Sequence, residues 1–475
     1  MNNFARNKAL RLGVAFAMWI GLTASVFGQT VPSTQPTQPV QKPMPLMQPI
    51  TVQTGSVAKP QPSSTPLVTK TGSSMPVIPR KTSFPVLADM EIPGFSGILV
   101  EDLNGNVVMD SYSNYAFNPA SNVKIATAYA VLKTFGPDYR FPTNVWTDGQ
   151  VEATSGTLYG NLYVSGRDPI FNYEHAVTLA NELNRLGIRS ITGDLIVTDN
   201  FVMNYNTSAQ RAGSTLSTTM DSSKRPVAAT RAWQSYLINS GKYSQVTGVP
   251  GVSMTGGVYV QAIPTNAKLL FSHESTPMRE IVKTTLCYSN NFLSERLGDM
   301  LGGPYAVARV VQQNAQIQPQ EFVLQSSSGL GINRVTPIAM MKLLRVLRKE
   351  LARNKMTFAD IMPVAGIDKG TLENRFDTDF SRGSVVGKTG TLPVGDGGVS
   401  SLAGEIQTRQ GKLLFVIFNQ RGNVNRFRSF QNSLVSIIQG QLGGAASLEY
   451  LPVTLDARLA KTRITYPDSR TRIGQ

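Results

Sequence analysis

FNPASNVKIATA, residues 117–128, carries a serine and a lysine three positions apart, Ser121 and Lys124. If a helix begins near Ser121, residues three apart share one face, so the lysine amine lies one turn from the serine hydroxyl. A serine hydroxyl is a weak nucleophile until a base removes its proton. Burial would lower the pKa of the Lys124 amine toward roughly 7–8, the range of such a base. The stretch therefore predicts a helix that begins at an activated serine.

Two further motifs follow in order along the chain. Residues 289–291, Ser-Asn-Asn, fit S-x-N, and residues 388–390, Lys-Thr-Gly, fit K-T-G on a strand-like run. The set of S-x-x-K, S-D-N and K-T-G is typical of β-lactamases and penicillin-binding proteins, which acylate a serine. Each triplet is common by itself, and the ordered set of three is what indicates acyl transfer.

The S-x-N motif supplies a proton relay and an amide. The hydroxyl of Ser289 is suited to return a proton to a departing amine. The amide of Asn291 is suited to hold both the Lys124 amine and a substrate carbonyl.

The K-T-G motif supplies a place for a substrate carboxylate. Lys388 brings positive charge, Thr389 brings a hydroxyl donor, and Gly390 leaves room for substrate backbone beside the strand. The backbone amides of Thr391 and Ser121 are candidates for an oxyanion hole.

The chain resembles the D-alanyl-D-alanine carboxypeptidase/endopeptidases of the low-molecular-mass class C penicillin-binding proteins. Besides the nucleophile stretch, the resemblance is carried by residues 136–141, 333–337, 363–366, 387–392 and 402–404. It implies an α/β (α+β) fold: a transpeptidase-like domain with an antiparallel sheet flanked by helices, interrupted by a smaller inserted α+β domain. It also implies peptidoglycan peptides ending in D-Ala-D-Ala as substrates and β-lactams as covalent inhibitors, with no metal or cofactor.

The chain departs from that family in two ways. The family has an Asp-Gly-Ser-Gly-Leu stretch where this chain has Ser-Ser-Ser-Gly-Leu at residues 326–330, so an acidic side chain is missing. The separation of Ser289 from Ser121 is also short for the longer members. A reduced inserted domain and altered contacts near the 326–328 stretch are therefore expected.

Composition shifts divide the chain into segments. A short apolar run at residues 12–27, preceded by basic residues and followed by small ones, predicts a cleavable export signal, with an uncleaved anchor as the alternative. A Pro, Gln, Ser and Thr-rich stretch follows and predicts a disordered linker. The predicted segments are a signal at 1–28, a linker at 29–84, a peptidase domain at 85–140 and 271–450, an insert at 141–270, and a loosely held basic tail at 451–475.

Charge and cysteine content narrow the function classes. The net charge is +15, but eight basic side chains precede the first acid, Asp89, and the remaining excess is too mild for nucleic-acid binding. Cys287 is the only cysteine, which excludes an intrachain disulfide, and the two histidines, His175 and His273, are expected to be structural. We expect an exported protein of the bacterial periplasm or envelope with no stable transmembrane segment after signal cleavage.

Hydrophobic patterns predict the secondary structure of the expected domains. Strands are predicted at 95–102, 107–112, 157–166, 191–197, 384–391, 399–406 and 412–419. Helices are predicted from 121 to about 136 and at 176–186, 278–301, 336–351 and 427–442, and a long loop at 203–226.

Three functions remain open from the residues alone. A serine β-lactamase would share the acylation step but needs fast deacylation. A wall-binding pseudoenzyme would keep the fold without turnover. Within the peptidase prediction, carboxypeptidase and endopeptidase activity both remain, because the shape of the cleft decides between them.

Overall fold

The computed structural model of the protein describes residues 80–245 and 248–467. The strands are β1 (Lys81–Thr82), β2 (Phe95–Asp102), β3 (Val107–Ser111), β4 (Pro142–Thr147), β5 (Gln150–Glu152), β6 (Thr157–Tyr159), β7 (Leu162–Gly166), β8 (Ser190–Ile191), β9 (Leu195–Val197), β10 (Ser253–Met254), β11 (Val258–Val260), β12 (Lys268–Glu274), β13 (Phe322–Val323), β14 (Arg334–Val335), β15 (Val385–Leu392), β16 (Val399–Thr408), β17 (Gly411–Gln420) and β18 (Arg463–Thr465). The helices are α1 (Pro85–Ala88), α2 (Val123–Phe135), α3 (Tyr173–Arg185), α4 (Ala209–Met220), α5 (Val227–Ser240), α6 (Met278–Cys287), α7 (Asn291–Asp299), α8 (Pro304–Ala315), α9 (Pro337–Arg353), α10 (Val424–Gln441) and α11 (Leu455–Leu459).

The predicted signal and most of the predicted linker lie outside the described residues. The linker prediction extends too far at its carboxyl end, since Lys81 and Thr82 pair with Asp110 and Met109 of β3. None of the helices in the described ranges is long and apolar enough to cross a bilayer.

The main sheet has the strand order β1-β3-β2-β17-β16-β15, and all its neighbouring strands are antiparallel. Its centre joins distant parts of the chain, because Ile98 of β2 pairs with Ile417 of β17. The predicted antiparallel sheet, built from the first two strands and three late ones, is confirmed.

Helices cover both faces of this sheet because its central strands are apolar on both sides. Side chains alternate between faces along a strand. On β17, three side chains join the core formed with α2 and α9: Leu414, Val416 and Phe418. The three alternating with them join the core formed with α10: Leu413, Phe415 and Ile417.

Helix α2 is buried on all sides, which is how it carries the nucleophile stretch into the core. Every residue from Val123 to Leu132 is buried, including Lys124. A helix that is largely apolar all round belongs in a protein interior. A short 3₁₀ turn at Ala120–Asn122 precedes it, so Ser121 lies at the beginning of this central helix.

Residues 142–274, called the insert below, supply every strand of two smaller sheets except β18. The larger has the order β11-β9-β7-β4-β12-β18, in which β7, β9 and β11 are parallel neighbours. Parallel neighbours need a crossover connection, and α3 supplies it between β7 and β9. The smaller sheet has the order β10-β8-β6-β5.

The prediction of a long loop over 203–226 is wrong, because α4 occupies its middle. Ser208 caps this helix by accepting a hydrogen bond from the amide of Arg211. Ala212, Leu216 and Met220, four residues apart, are buried in the core of the insert. Burial of this stripe outweighs the weak helix propensity of the surrounding Ser and Thr residues.

Two predicted continuous elements are interrupted. The strand predicted over 157–166 is divided into β6 and β7, which belong to different sheets, at Gly160 with φ +148°. The helix predicted over 278–301 is divided into α6 and α7 at Ser289, whose φ is +54°.

The described part of the C-terminal segment, residues 451–467, packs against the rest of the protein, contrary to the expectation of a loose tail. Strand β18 pairs with β12, with Ile464 opposite His273. The Arg458 guanidinium lies 2.9 Å from a Glu280 carboxylate oxygen, and both side chains are buried. The basic composition of this segment predicts a solvated tail, but the charge of Arg458 has a buried acidic partner.

Candidate active site

The turn that carries Ser121 is held from several sides. The Asn118 side-chain oxygen accepts a hydrogen bond of 3.0 Å from the amide of Ala120. Ala120 has a φ of +46°, a conformation that costs free energy in a residue with a Cβ and that clusters at functional sites. The carbonyl of Pro119 accepts a 2.7 Å hydrogen bond from the hydroxyl of Ser401 on β16.

The amine of Lys124 meets Ser121 as the spacing predicted. Lys124 Nζ lies 3.0 Å from Ser121 Oγ, 2.7 Å from Asn291 Oδ1 and 2.6 Å from the Ser328 carbonyl oxygen. Burial lowers the pKa of Lys124 to about 7, and the nearby Glu295 carboxylate opposes this shift. A substantial fraction of the amine is therefore neutral near pH 7, within hydrogen-bond reach of the serine.

The S-x-N motif lies at the corner between α6 and α7. The left-handed Ser289 follows the end of α6, and the Asn290 amide bonds back to the Thr285 carbonyl at 3.0 Å. The Asn290 side chain then caps α7 by accepting from the Leu293 amide at 3.0 Å. Asn291 is the first residue of that helix, so a tight helix-to-helix corner brings Ser289 and Asn291 to the site.

Lys388 reaches the same place from β15. Its buried Nζ donates to Ser289 Oγ at 2.9 Å and to the Thr389 carbonyl at 2.6 Å. Burial, together with the positive charge of nearby Lys124, holds the pKa of Lys388 well below its usual range.

These residues border one cleft of about 650 Å³. Its lining includes five of the predicted residues: Ser121, Ser289, Thr389, Gly390 and Thr391. Lys124, Asn291 and Lys388 adjoin it through the hydrogen bonds given above. A cavity of about 710 Å³ lies between Phe135 at the end of α2 and insert residues such as Arg167, and none of the motif residues line it.

Gly390 is needed for a reason that the sequence does not reveal. A Cβ on Gly390 would lie 2.1 Å from Ser401 Oγ and 2.7 Å from the Pro119 carbonyl oxygen. The glycine therefore lets the Ser121 turn pack directly against β15. The space expected beside Gly390 for substrate backbone is therefore occupied, next to its Cα, by Ser401 and Pro119.

An ionic network beneath the Ser121 turn was missed by the sequence analysis. Asn118 Nδ2 donates to Asp396 Oδ2 at 2.7 Å across 278 positions of sequence. Arg334 pairs with the other oxygen of Asp396 at 2.8 Å. Burial raises the pKa of Asp396, but the hydrogen bonds from Asn118 and Arg334 outweigh it and the pKa is lowered. Because the partners are so far apart along the chain, no local motif predicts this network.

Two arginines that line the cleft near the K-T-G strand were also missed. Arg428 of α10 donates to Thr391 Oγ1 at 3.1 Å. Arg375 lies beside it, and burial together with the charge of Arg428 lowers the pKa of Arg375 to about 10. The sequence predicts the helix that carries Arg428 but not that this side chain faces the K-T-G strand.

The serine-rich stretch at 326–330 forms a closed turn. Ser326 Oγ accepts from the Gly329 amide at 2.9 Å and donates to the Leu330 carbonyl at 2.8 Å. The resemblance implies an acid at position 326. The Ser326 hydroxyl found there forms hydrogen bonds within its own loop.

Comparison with known proteins gives concordant matches. The model of the D-Ala-D-Ala carboxypeptidase 3 (S13) family matches residues 85–231 and 219–439. A D-alanyl-D-alanine carboxypeptidase of Actinomadura sp. (strain R39) is 25% identical over 434 residues, covering 70% of this chain and 79% of its own. The D-alanyl-D-alanine carboxypeptidase DacB of Haemophilus influenzae is 23% identical over 415 residues, covering 68% and 84%.

Among solved structures, the chain is similar to the penicillin G-acylated Bd3459 predatory endopeptidase of Bdellovibrio bacteriovorus in complex with the immunity protein Bd3460. The TM-score is 0.66 at 22% identity, and the match covers 78% of this chain and 100% of that one. At this identity the likeness shows a shared fold.

Proposed function

Because the chain belongs to the D-Ala-D-Ala carboxypeptidase 3 (S13) family, a family of penicillin-binding serine hydrolases, we propose that Ser121 forms an acyl-enzyme with peptidoglycan stem peptides. The observation that carries this assignment is the contact of 3.0 Å between Lys124 Nζ and Ser121 Oγ. The pKa of this lysine, about 7, suits a general base near neutral pH.

Acylation begins at Ser121. Neutral Lys124 accepts the hydroxyl proton while Ser121 Oγ attacks the carbonyl carbon of the penultimate D-alanine. The carbonyl oxygen becomes an oxyanion, for which the backbone amides of Ser121 and Thr391, two residues lining one cleft, are the candidate donors. Asn291 holds the lysine amine through its 2.7 Å contact and keeps it aligned.

Departure of the amine requires a proton. The proton that Lys124 accepted is proposed to pass to the leaving nitrogen through the hydroxyl of Ser289, whose Oγ accepts a hydrogen bond from Lys388 Nζ at 2.9 Å, and Lys124 becomes neutral again. Collapse of the tetrahedral intermediate breaks the C–N bond and leaves an ester on Ser121. Water then attacks the ester, with the amine of Lys124 as base, and releases the shortened peptide and the free serine.

The leaving residue carries a carboxylate both in a D-Ala-D-Ala terminus and in a D-Ala cross-link to the D-centre of a diamino acid. Arg428 presents its guanidinium beside Thr391, on the K-T-G side of the cleft. Arginine suits carboxylate recognition because its donors match the two oxygens. This supports a substrate with a free carboxylate next to the scissile amide, in either carboxypeptidase or endopeptidase cleavage.

The proposed location is the bacterial periplasm or cell envelope. It is supported by the apolar run at residues 12–27, which lies outside the described residues, and by the peptidoglycan substrate.

Intact-protein mass spectrometry after treatment with benzylpenicillin tests the nucleophile. We expect one penicilloyl adduct on the wild type and on Ser222→Ala, a matched change at an exposed serine, and none on Ser121→Ala. Absence of the wild-type adduct, or its persistence on Ser121→Ala, would contradict the assignment.

Product analysis separates the activities. We expect the wild type to release D-alanine from a pentapeptide, or to cut a D-Ala cross-linked dimer, and to lose the penicilloyl group slowly. Rapid turnover of a chromogenic cephalosporin would instead indicate a β-lactamase. An adduct without any peptide cleavage would indicate a penicillin-binding pseudoenzyme.

A further inference from the structure

Glu295, which belongs to none of the sequence motifs, holds the loop at residues 327–328. It lies on α7, one turn after Asn291, and its oxygens accept hydrogen bonds from the amide of Ser327 at 3.0 Å and of Ser328 at 2.9 Å. Hydrogen bonds to an ionised acceptor are roughly twice as strong as neutral ones. The carboxylate therefore fixes the backbone of this loop to the helix that carries Asn291.

The loop in turn touches both members of the nucleophile pair. The carbonyl of Ser328 accepts from Lys124 Nζ at 2.6 Å. At Gly329, whose φ is +91°, a Cβ would lie 1.9 Å from the Ala120 carbonyl oxygen and 2.9 Å from the Ser121 nitrogen. The backbone of Gly329 thus packs directly against the backbone of Ala120 and Ser121. A displacement of the loop would therefore move Ser121 or break the hydrogen bond of the Lys124 amine to Ser328.

We propose that Glu295 is a positioning residue for acyl transfer, which holds residues 327–329 against the Ser121 turn and keeps one negative charge near the Lys124 amine. The inference rests on the proposed function of Ser121.

The charges on the other elements around α2 are engaged elsewhere. On α9, Glu350 pairs with Lys133 at the opposite end of α2. On α6, all three charged side chains pair with other groups: Lys283 with Asp368, Glu280 with Arg458, and Arg279 with Asp138. On α8, Arg309 is exposed. Lys388 of β15 and Glu295 of α7 are therefore the charged side chains of these elements that bear on Lys124.

The direction of the charge effect follows from its sign. A negative charge near an amine favours the protonated form, so Glu295 raises the pKa of Lys124 against the lowering by burial. Removing the charge should lower that pKa further. The neutral amine then persists to lower pH, and the acid limb of a pH–rate profile moves to lower pH.

The test is the pH dependence of the acylation rate with benzylpenicillin, followed by intact mass, in four forms of the full chain. The forms are wild type, Glu295→Gln, Glu295→Asp and the control Asp299→Asn, an exposed acid on the same helix. For Glu295→Gln we expect the acid limb to move to lower pH by roughly half a unit or more. We also expect a fall of about tenfold in the plateau rate, because the glutamine amide cannot accept both backbone hydrogen bonds.

Glu295→Asp keeps the charge on a shorter side chain, so the plateau rate should fall while the acid limb stays in place. Asp299→Asn should change neither. A lower plateau in Glu295→Gln with an unmoved acid limb would mean a purely structural role, and an unchanged profile would mean no role. If Glu295→Gln fails to fold, a shifted limb in Glu295→Asp would still overturn the proposal. Failure of the proposed function is distinct, since the wild type would then form no adduct.

Discussion

At the residue scale, the chemistry of the site depends on how Lys124 is buried. The i, i+3 spacing brings its amine to Ser121 in any helix, but spacing alone leaves a lysine protonated at neutral pH. Complete burial of the side chain lowers its pKa to about 7. Activation of the proposed nucleophile therefore depends on the surroundings of α2 and not on the motif alone.

We predict that acylation by benzylpenicillin depends on deprotonation of Lys124. Its pKa is about 7, so the rate should be full above this value and fall as the pH drops through it. Lys124→Arg cannot lose its proton and should acylate about 10² to 10⁴ times more slowly. Intact-mass spectrometry of quenched reactions across the neutral pH range gives both the pH at which the rate falls and the rate loss in Lys124→Arg.

Lys133→Arg is the matched control for this change, because Lys133 lies on the same helix and pairs with Glu350 away from the cleft. It should keep the wild-type profile. A normal rate in Lys124→Arg would remove Lys124 from the role of base.

At the element scale, the site is made by close contacts between secondary-structure elements. The corner between α6 and α7 brings in Ser289 and Asn291, and β15 brings in Lys388. The Ser121 turn packs on β15 where Gly390 has no side chain. Small residues at such contacts decide how near two backbones lie.

Gly390→Ala should therefore both destabilise the fold and impair acylation. The new Cβ would meet Ser401 Oγ at 2.1 Å and the Pro119 carbonyl oxygen at 2.7 Å. We expect a loss of about 1–3 kcal/mol in the free energy of unfolding, as for overpacked cores. Urea unfolding measures this change, and benzylpenicillin acylation reports the displaced Ser121.

Gly440→Ala is a suitable comparison, because Gly440 lies within α10 and its Cβ would meet nothing within 4 Å. This change should leave acylation intact and stabilise the protein by about 0.5–1 kcal/mol through helix propensity. Equal stability of Gly390→Ala and wild type would contradict the packing argument.

At the scale of the whole molecule, the C-terminal segment connects the main sheet's helices to the insert. Arg458 pairs with Glu280 of α6, while β18 extends the larger sheet of the insert. Between them, Thr462 Oγ1 lies 2.6 Å from the hydroxyl of Tyr236 on α5. The segment therefore contributes to stability although its sequence resembles a solvated tail.

Arg458→Ala should lower the free energy of unfolding substantially. It leaves Glu280, whose side chain is 3% exposed, with Lys461 as its remaining ionic partner. Breaking a buried pair costs about 3–5 kcal/mol, and the retained lysine places our expectation near the lower end. The denaturation midpoint provides the measurement.

Arg426→Ala removes an arginine from an exposed pair with Glu91 and is the matched control. It should change stability by about 0.5 kcal/mol or less. If both variants unfold at the same denaturant concentration, the C-terminal segment is not held by its buried ion pair.

Much of this architecture can be predicted from the sequence because it depends on patterns of apolar residues that are close together in the chain. Alternating and continuous apolar runs predict β2, β15, β16 and β17 close to their observed bounds. The loop predicted at 203–226 fails because burial against the insert, not local propensity, makes α4 a helix.

The candidate reacting groups and the order of the three motifs could be predicted from the sequence, since spacing and residue type are local properties. The folded chain sets the environment of these groups. It buries Lys124, ties Asn118 to Asp396 across 278 positions, and brings Glu295 to the amides of residues 327 and 328. Solvation and charge depend on every group within a few ångströms, and chain folding brings most of those groups from distant positions.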